Sequence, residues 1–175
     1  AFQSVKDYLE AINILKKNKT SSWVNCARNY NTVYSLIKKK INKKKCIKIH
    51  VKGNGWNLAS NSIHFVELFN FLGSRQVNQS SFFNKTNKIL NSKREGYKEI
   101  KGTFRINNSF GDNLILEDDY KYKKNSLKIK IYNSGNIIYI DEHNRVARSN
   151  IFAQKNYYFK ELKQSNLSKR YIDSI

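Results

Sequence analysis

The sequence predicts an α+β protein built on a ferredoxin-like βαββαβ core. Three observations support this prediction. Cys46–Lys52 alternates apolar and polar residues, which is the period of a half-buried strand. In Leu58–Leu72 the apolar residues recur at helical spacing, and Gly73 can end that helix. Ile100–Ile106 and Leu127–Ile131 carry apolar residues on one face and predict two further strands.

The remaining core elements are a second helix, a short strand and a long loop. Asp112 is expected to cap a short helix that runs to about Lys124, with carboxylates in its first half and lysines at its end, an order that suits the helix dipole. Asn78–Lys93 is expected to form a long basic hairpin loop, since it is too long for an ordinary hairpin connection. A short strand near Val77 would precede this loop. A disordered solvent loop is the alternative.

The core, at residues 45–132, is flanked by an N-terminal helical basic extension at 1–44 and a C-terminal extension at 133–175. Ser4 and Asp7 predict the start of a first helix, and Ser22 is expected to cap a second one. The apolar stripe of the second helix would be Trp23, Cys26, Tyr30, Val33 and Ile37. The C-terminal extension is predicted as a hairpin around Asn133–Asn136, with Ile137–Ile140 pairing back, and a final helix from about Asn150.

The charge balance indicates a polyanionic partner. Thirty-three Lys and Arg residues oppose 13 Asp and Glu, for a formal net charge of +20 in 175 residues. Such an excess repels itself in a compact chain, so nucleic acid is the first candidate partner and an anionic membrane the second. No apolar run approaches the roughly 20 residues of a membrane helix. Cys26 and Cys46 predict two reduced thiols rather than a disulfide scaffold. No secretory leader is recognisable, and the missing initiator Met suggests a processed or incomplete product.

Three short stretches carry a resemblance to a known family. The run Ile47-Lys48-Ile49-His50-Val51-Lys52 stands where that family has a strand reading Ile-Arg-Ile-Arg-Leu-Lys. Leu58, Gly73, Gln76 and Val77 match a helix that ends near Gly-X-X-Val, and Glu99–Arg105 looks like a degraded Glu-Ile-Arg-Thr-His-X-Arg. On these residues, the chain resembles the small-subunit ribosomal protein S-ten family over about residues 45–132.

The resemblance implies a structural constituent of the ribosome that binds rRNA in the small-subunit head, beside neighbouring head proteins, with no membrane partner. Heavy use of Lys, Asn, Ile, Tyr and Phe suggests an AT-rich genome, so the expected location is the mitochondrion or, otherwise, the cytoplasm of an AT-rich-genome organism. Lysines would neutralise phosphates, and phenylalanines would stack on unpaired bases. The expected RNA-binding residues are Lys38, Lys39, Lys40, Lys43, Lys44, Lys45, Lys52, Asn54, Phe82, Phe83, Lys85, Lys88, Lys93, Arg94, Lys101 and Arg105.

For two groups of these residues, the lysine run and the turn that contains Asn54, an explanation without RNA binding is also open. The run Lys38–Lys45 is also typical of a solvated linker. The turn Gly53-Asn54-Gly55 lies between a strand and a helix, where backbone amides can cradle a phosphate. It matches neither a Walker loop nor a dinucleotide fingerprint, and a plain turn with positive φ angles is the alternative.

The sequence predicts no enzyme, no cofactor, and no catalytic or metal-binding residues. His50 lies on the polar face of a strand, and His64 is expected to form a surface pair with Glu67. Asp141-Glu142-His143 suggests a nuclease or metal site, but neither zinc spacing nor a nucleophile–base pair accompanies it. The acidic run Glu117–Asp119 has no partner ligands at metal-site spacing. A small basic ribonuclease or toxin domain acting on RNA is the alternative function.

Overall fold

The computed structural model describes residues 4–22, 26–73, 79–92 and 95–160. The chain forms two compact units, one made of Ala1–Asn25 with Ser165–Ile175 and the other of Cys26–Gln164. The first unit contains helix α1, Val5–Lys17. The Ser4 hydroxyl accepts a hydrogen bond of 3.1 Å from the Asp7 amide, which confirms the predicted cap.

In its described residues, the larger unit contains one sheet of eight strands, a 3-10 helix (Ala27–Tyr30) and two α-helices. The helices are α2 (Thr32–Lys40) and α3 (Leu58–Gly73). The strands are β1 (Ile47–Asn54), β2 (Gln79–Asn91), β3 (Lys98–Asn107), β4 (Asn113–Asp118), β5 (Ser126–Asn133), β6 (Asn136–Asp141), β7 (Val146–Arg148) and β8 (Asn156–Tyr158). Their order in the sheet is β2-β3-β4-β1-β5-β6-β7-β8. β1 and β4 run parallel, and all other neighbours are antiparallel.

The structure confirms the α+β class but not the second helix that the ferredoxin-like core needs. The segment predicted to be helical contains strand β4. Leu114 and Leu116 are fully buried and alternate with half-buried neighbours, which is strand periodicity. Asp112 caps no helix, because its carboxylate accepts a hydrogen bond of 2.7 Å from the Ile47 amide at the start of β1.

The predicted long loop is also wrong. Its described part is strand β2, which pairs antiparallel with β3 and has an irregularity between Asn84 and Ile89. Backbone pairing with β3 makes this polar segment a strand, although it has little apolar periodicity of its own. The predicted short strand near Val77 lies outside the described residues.

Other predicted elements are confirmed. The helix from Leu58, the strands at Ile47, Ile100 and Leu127, and the hairpin at Asn133 all form. The second helix, however, begins after Asn31, whose side chain accepts from the Val33 amide, and not after Ser22.

At the C-terminus, residues from Asn150 to Phe159 form turns and β8 rather than the start of the predicted helix. The rest of that predicted helix lies outside the described residues. The division into segments at 44 and 133 stays a prediction.

The core lies on one face of the sheet, under α2 and α3. Alternate strand residues share a face, and one set is buried against the helices: Ile47, Ile49, Val51, Leu114, Leu116, Ile129, Ile131, Ile138 and Ile140. The helices contribute Val33, Ile37, Phe65, Leu68, Phe69 and Leu72. The other strand residues form the opposite surface, which we call the open face. Among the described helices, none combines the length and apolarity that crossing a bilayer requires.

Candidate basic cleft on the open face of the sheet

The open face carries an excess of cationic side chains. Strand register places Lys48, Lys52, Arg105, Lys128, Lys130 and Arg148 on it. In one row across the sheet, Arg105 pairs with Ile115, Ile115 with His50, and His50 with Lys130. The same row continues through Tyr139 to Arg148. Two carboxylates, Glu117 and Asp141, share this face.

A cleft of ≈ 550 Å³ lies on the open face, where β1 and β4 begin and the β5–β6 hairpin turns. We call it the open-face cleft. Its walls combine an ammonium group, an imidazole, a phenol and side-chain amides with apolar surface, and they include no carboxylate. The lining residues are Cys46, Lys48, Ile49, His50, Asn113, Ile115, Tyr132, Asn133, Ser134, Gly135, Asn136 and Ile137.

His50 is oriented by a carboxylate that lies outside the cleft walls. Its Nε2 lies 3.1 Å from Oε2 of Glu117, and the Tyr122 hydroxyl donates to the same oxygen at 2.7 Å. Burial alone would raise the pKa of Glu117, but hydrogen bonds from Tyr122 and His50 and the nearby positive charge hold that pKa below its usual value. Glu117 is therefore the carboxylate that orients the imidazole of His50. In many catalytic sites the base is oriented by a further side chain in the same way.

The glycine turn between β1 and α3 does not offer a phosphate site. Its backbone amides already bind a carboxylate, because Gly55 and Asn57 donate to the two oxygens of Asp118 at 2.7 and 3.1 Å. At the start of α3, the Ala59 amide donates to Glu99 at 3.0 Å. A dinucleotide phosphate needs free amides at such a turn, so these residues do not fit that cofactor.

The predicted RNA-binding residues are dispersed over the structure. Lys101 and Asn54 are buried and bonded to each other at 2.6 Å, so they do not suit the predicted phosphate contact. Lys52 and Arg105 lie on the open face. The charge run belongs to the end of α2 and the connection to β1, with Lys38, Lys39 and Lys40 in the helix and Lys43, Lys44 and Lys45 exposed after it. Phe82 and Phe83 are exposed on β2, Lys85 and Lys88 also belong to β2, and Lys93 and Arg94 lie outside the described residues.

The residues considered for a nuclease or metal site, Asp141, Glu142 and His143, do not form a common site. Glu142 accepts two hydrogen bonds from Arg28, at 2.9 and 2.7 Å, and one from the Tyr34 hydroxyl at 2.7 Å. Asp141 pairs with Lys128, and His143 is exposed. Over the described ranges, no group of three or more His, Cys, Asp or Glu residues is placed to hold a metal ion.

His64 does not form the expected pair with its helix neighbour Glu67. Glu67 instead accepts a hydrogen bond of 3.1 Å from the Asn29 side chain. Burial lowers the pKa of His64, and the charge of Arg28 acts in the same direction. Both effects favour the neutral form of this imidazole.

Sequence reasoning placed His50 on a polar strand face but did not find its partner. Glu117 is 67 residues further along the chain. Only the parallel register of β1 with β4 brings these two residues onto neighbouring positions of one face. No local sequence pattern encodes such a long-range register, so the His50–Glu117 pair could not be predicted from residue spacing.

No known protein family and no curated protein matches the sequence. Its structure is similar to that of a dehydrogenase (MviM) from Clostridium difficile, with a TM-score of 0.65 and 16% identity, over 98% of this chain and 59% of that one. A protein described as an oxidoreductase from Magnetospirillum magnetotacticum MS-1 has a TM-score of 0.55 and 12% identity, over 94% of this chain and 58% of that one. The chain thus has a fold found in dehydrogenases and oxidoreductases, and it spans less than two thirds of both.

These similarities correct the functional predictions. Membership of the ribosomal family is wrong, because nearly the whole chain takes an oxidoreductase-type fold. The rRNA-binding role and the rRNA and head-protein partners are wrong with it, and the ribonuclease alternative is not supported either. The prediction of a non-enzymatic protein is also contradicted, because the fold is one found in a dehydrogenase and in a protein described as an oxidoreductase. The mitochondrial location stays a prediction.

Proposed function

We propose that the chain forms the sheet domain of a dehydrogenase-type oxidoreductase and that the open-face cleft holds the substrate. One observation carries this proposal: 98% of the chain superimposes on the Clostridium difficile dehydrogenase with a TM-score of 0.65. The cleft volume of ≈ 550 Å³ is also within the usual range for small-molecule sites.

His50 is the proton acceptor in this proposal. Oxidation of an alcohol to a carbonyl requires removal of the hydroxyl proton, and a neutral imidazole is the commonest group for that task. Because Glu117 lies 3.1 Å from Nε2, it favours the tautomer that carries its proton on Nε2. Nδ1 is then the basic nitrogen, and His50 itself lines the cleft. Tyr122 fixes Glu117 through its own hydrogen bond of 2.7 Å.

A dehydrogenase also needs a hydride acceptor, which is commonly a nicotinamide dinucleotide. The glycine turn before α3 does not fit one, because Asp118 occupies its amides. We therefore assign no cofactor contact to the described residues. The function proposed for this chain is substrate binding and proton transfer.

The test is an oxidation assay on the purified chain with a panel of alcohols and hydroxy acids. NAD or NADP is added in excess as the hydride acceptor, and its reduction is followed by absorbance. We expect substrate-dependent reduction that falls about 100-fold or more in His50→Gln. His143→Gln, which changes an exposed histidine, is the matched control and should keep full activity. Activity that survives in His50→Gln would contradict this role.

A further inference from the structure

Most cations of the open face have no carboxylate partner within the described ranges of the chain. Asp141 is committed to Lys128 and to Asn144, whose amide donates at 3.0 Å, and Glu117 is committed to His50 and Tyr122. Among the residues that the structure describes, no carboxylate pairs with the other open-face cations, which are Lys48, Lys52, Arg105, Lys130 and Arg148. The face therefore holds a net positive potential.

Two of these cations rest on aromatic rings instead. The ammonium of Lys52 lies 5.5 Å from the ring centroid of Tyr122, and that of Lys130 lies 4.9 Å from Tyr139. A ring contact attracts a cation without neutralising it. These ring contacts therefore do not offset the positive charge that the two lysines bring to the open face.

Lys48 is the cation in the cleft wall itself. It precedes His50 by two positions, toward the start of β1, so both side chains share the open face, with Cα atoms roughly 7 Å apart. Its ammonium has no ion pair or hydrogen bond with any described group. Tyr132 lies directly opposite Lys48 across the β1–β5 ladder, and Asn113 lies opposite on β4. A lysine in a carboxylate-free wall is suited to bind an acidic group.

The rest of the wall suits a small molecule with an apolar body. Ile115 and Ile137 give apolar surface, while Ser134 and Asn136 add hydrogen-bonding groups from the β5–β6 turn. A ligand anchored at Lys48 would place atoms a few ångströms away beside His50. That spacing fits a compound whose acidic group and hydroxyl are separated by a short carbon chain.

We propose that the open-face cleft binds a hydroxy compound bearing a carboxylate or a phosphate, with Lys48 pairing to the acidic group and the hydroxyl placed at His50. This inference rests on the proposed function, because it names the substrate class of the same site. Lys48 acts in binding and His50 in proton transfer, so the two residues can be tested separately.

The experiment is calorimetric titration of the purified chain with three probes: malate, glycerol phosphate and uncharged glycerol. We expect at least one of the two anions to bind about tenfold more tightly than glycerol, and to bind more weakly at high salt. Comparing malate with glycerol phosphate shows whether the acidic group bound by Lys48 is a carboxylate or a phosphate. Lys48→Met should weaken the bound anion about tenfold. The control is Lys128→Met, a change on the same face at a lysine outside the cleft walls, and it should change affinity less than about twofold.

Several results would overturn the inference. They are equal binding of glycerol and the anions, no measurable binding of either anion, or unchanged affinity in Lys48→Met. His50→Gln separates the two proposals, because it should abolish oxidation while the bound anion still binds more tightly than glycerol. Anion binding without any oxidation would refute the proposed function alone. Oxidation of neutral alcohols in preference to acidic ones would refute the substrate class alone.

Discussion

Lys101 and Asp118 form an ion pair of 2.7 Å, and their side chains are only 9% and 2% exposed. The pair lies where the parallel strands β1 and β4 end. Asp118 also accepts the amides of Gly55 and Asn57, while Lys101 donates to Asn54 and lies over the ring of Tyr120. One carboxylate thus joins β3, β4 and the turn that leads into α3.

Removing the lysine from this pair should strongly destabilise the fold. Lys101→Met leaves the Asp118 charge buried without its cation, which costs about 3–5 kcal/mol of unfolding free energy. Lys98→Met, on the same strand at an exposed position, is the control and should change stability by less than about 0.5 kcal/mol. Urea unfolding followed by circular dichroism measures both. The double variant with Asp118→Asn should recover part of the loss, and equal stability of Lys101→Met and the wild type would show that the pair does not stabilise the fold.

Gly53 should tolerate no side chain. A Cβ at this position would lie 1.9 Å from the Ser126 carbonyl oxygen of β5, so alanine must push β1 and β5 apart. We expect Gly53→Ala to lose about 3 kcal/mol or more, or to fail to fold.

Gly135→Ala is the comparison for this glycine prediction. Gly135 has a positive φ of 80°, but a Cβ at this position would meet no atom within 4 Å beyond its chain neighbours, so only backbone strain opposes alanine there. That variant should lose about 1–2 kcal/mol. Thermal melting of both variants tests the difference, and equal losses would show that the close contact with β5 does not matter.

Tyr34 should make the protein sensitive to alkali. Burial, together with the charge of Glu142, raises the pKa of its phenol well above the usual 10.0. The phenol therefore stabilises the native state fully below pH 10, and this contribution is lost as the pH rises beyond that value. Tyr34→Phe should lose less stability than the wild type over this alkaline range, as measured by urea unfolding at a series of pH values. If the unfolding free energies of the two proteins fall in parallel as the pH rises, Tyr34 is not the group responsible.

Asp141 should stabilise the protein in weak acid. Although burial acts to raise the pKa of its carboxyl, hydrogen bonds from Lys128 and Asn144 lower that pKa from 3.8 to about 2. A lowered native pKa gives stability that is complete above pH 3.8 and lost as the pH falls towards 2. The stability difference between the wild type and Asp141→Asn should therefore shrink over this interval in acid titrations of unfolding. A difference that stays constant down to pH 2 would rule out this linkage.

Periodicity predicted the elements that have one buried face. In β1, α3 and β5 the apolar residues recur with the period of the element, on the face that contacts the core. The sequences of these segments are therefore sufficient to predict them. The segment that contains β4 was predicted as a helix because its carboxylates, at Glu117–Asp119, precede its lysines, at Lys121–Lys124, in the order that suits a helix dipole. In the structure, Glu117 and Asp118 instead serve tertiary partners, His50 and Lys101.

β2 and the candidate site could not be predicted from local sequence patterns, because both depend on contacts between distant segments of the chain. β2 is an edge strand with exposed Phe83 and Ile89, so its hydrogen bonds to β3, rather than an apolar pattern, define it. The His50–Glu117 pair depends on the register of a parallel ladder. The positive charge of the chain was evident in its composition, but which cations share a surface is decided by strand order alone.

The position of β1 in the middle of the sheet has a consequence for how the chain folds. Both of its neighbours, β4 and β5, come from residues after Gly111, and all the intervening chain must be placed before either ladder closes. Pairings between such distant segments form slowly, because a long loop must be closed first. During synthesis, the strand around Ile49 therefore keeps both edges unpaired until the chain beyond Asp118 has left the ribosome, and it keeps the edge that pairs with β5 open until the chain beyond Asn133 has followed. Over that interval the nascent protein is open to aggregation, and chaperones that bind extended apolar segments have their natural target in β1.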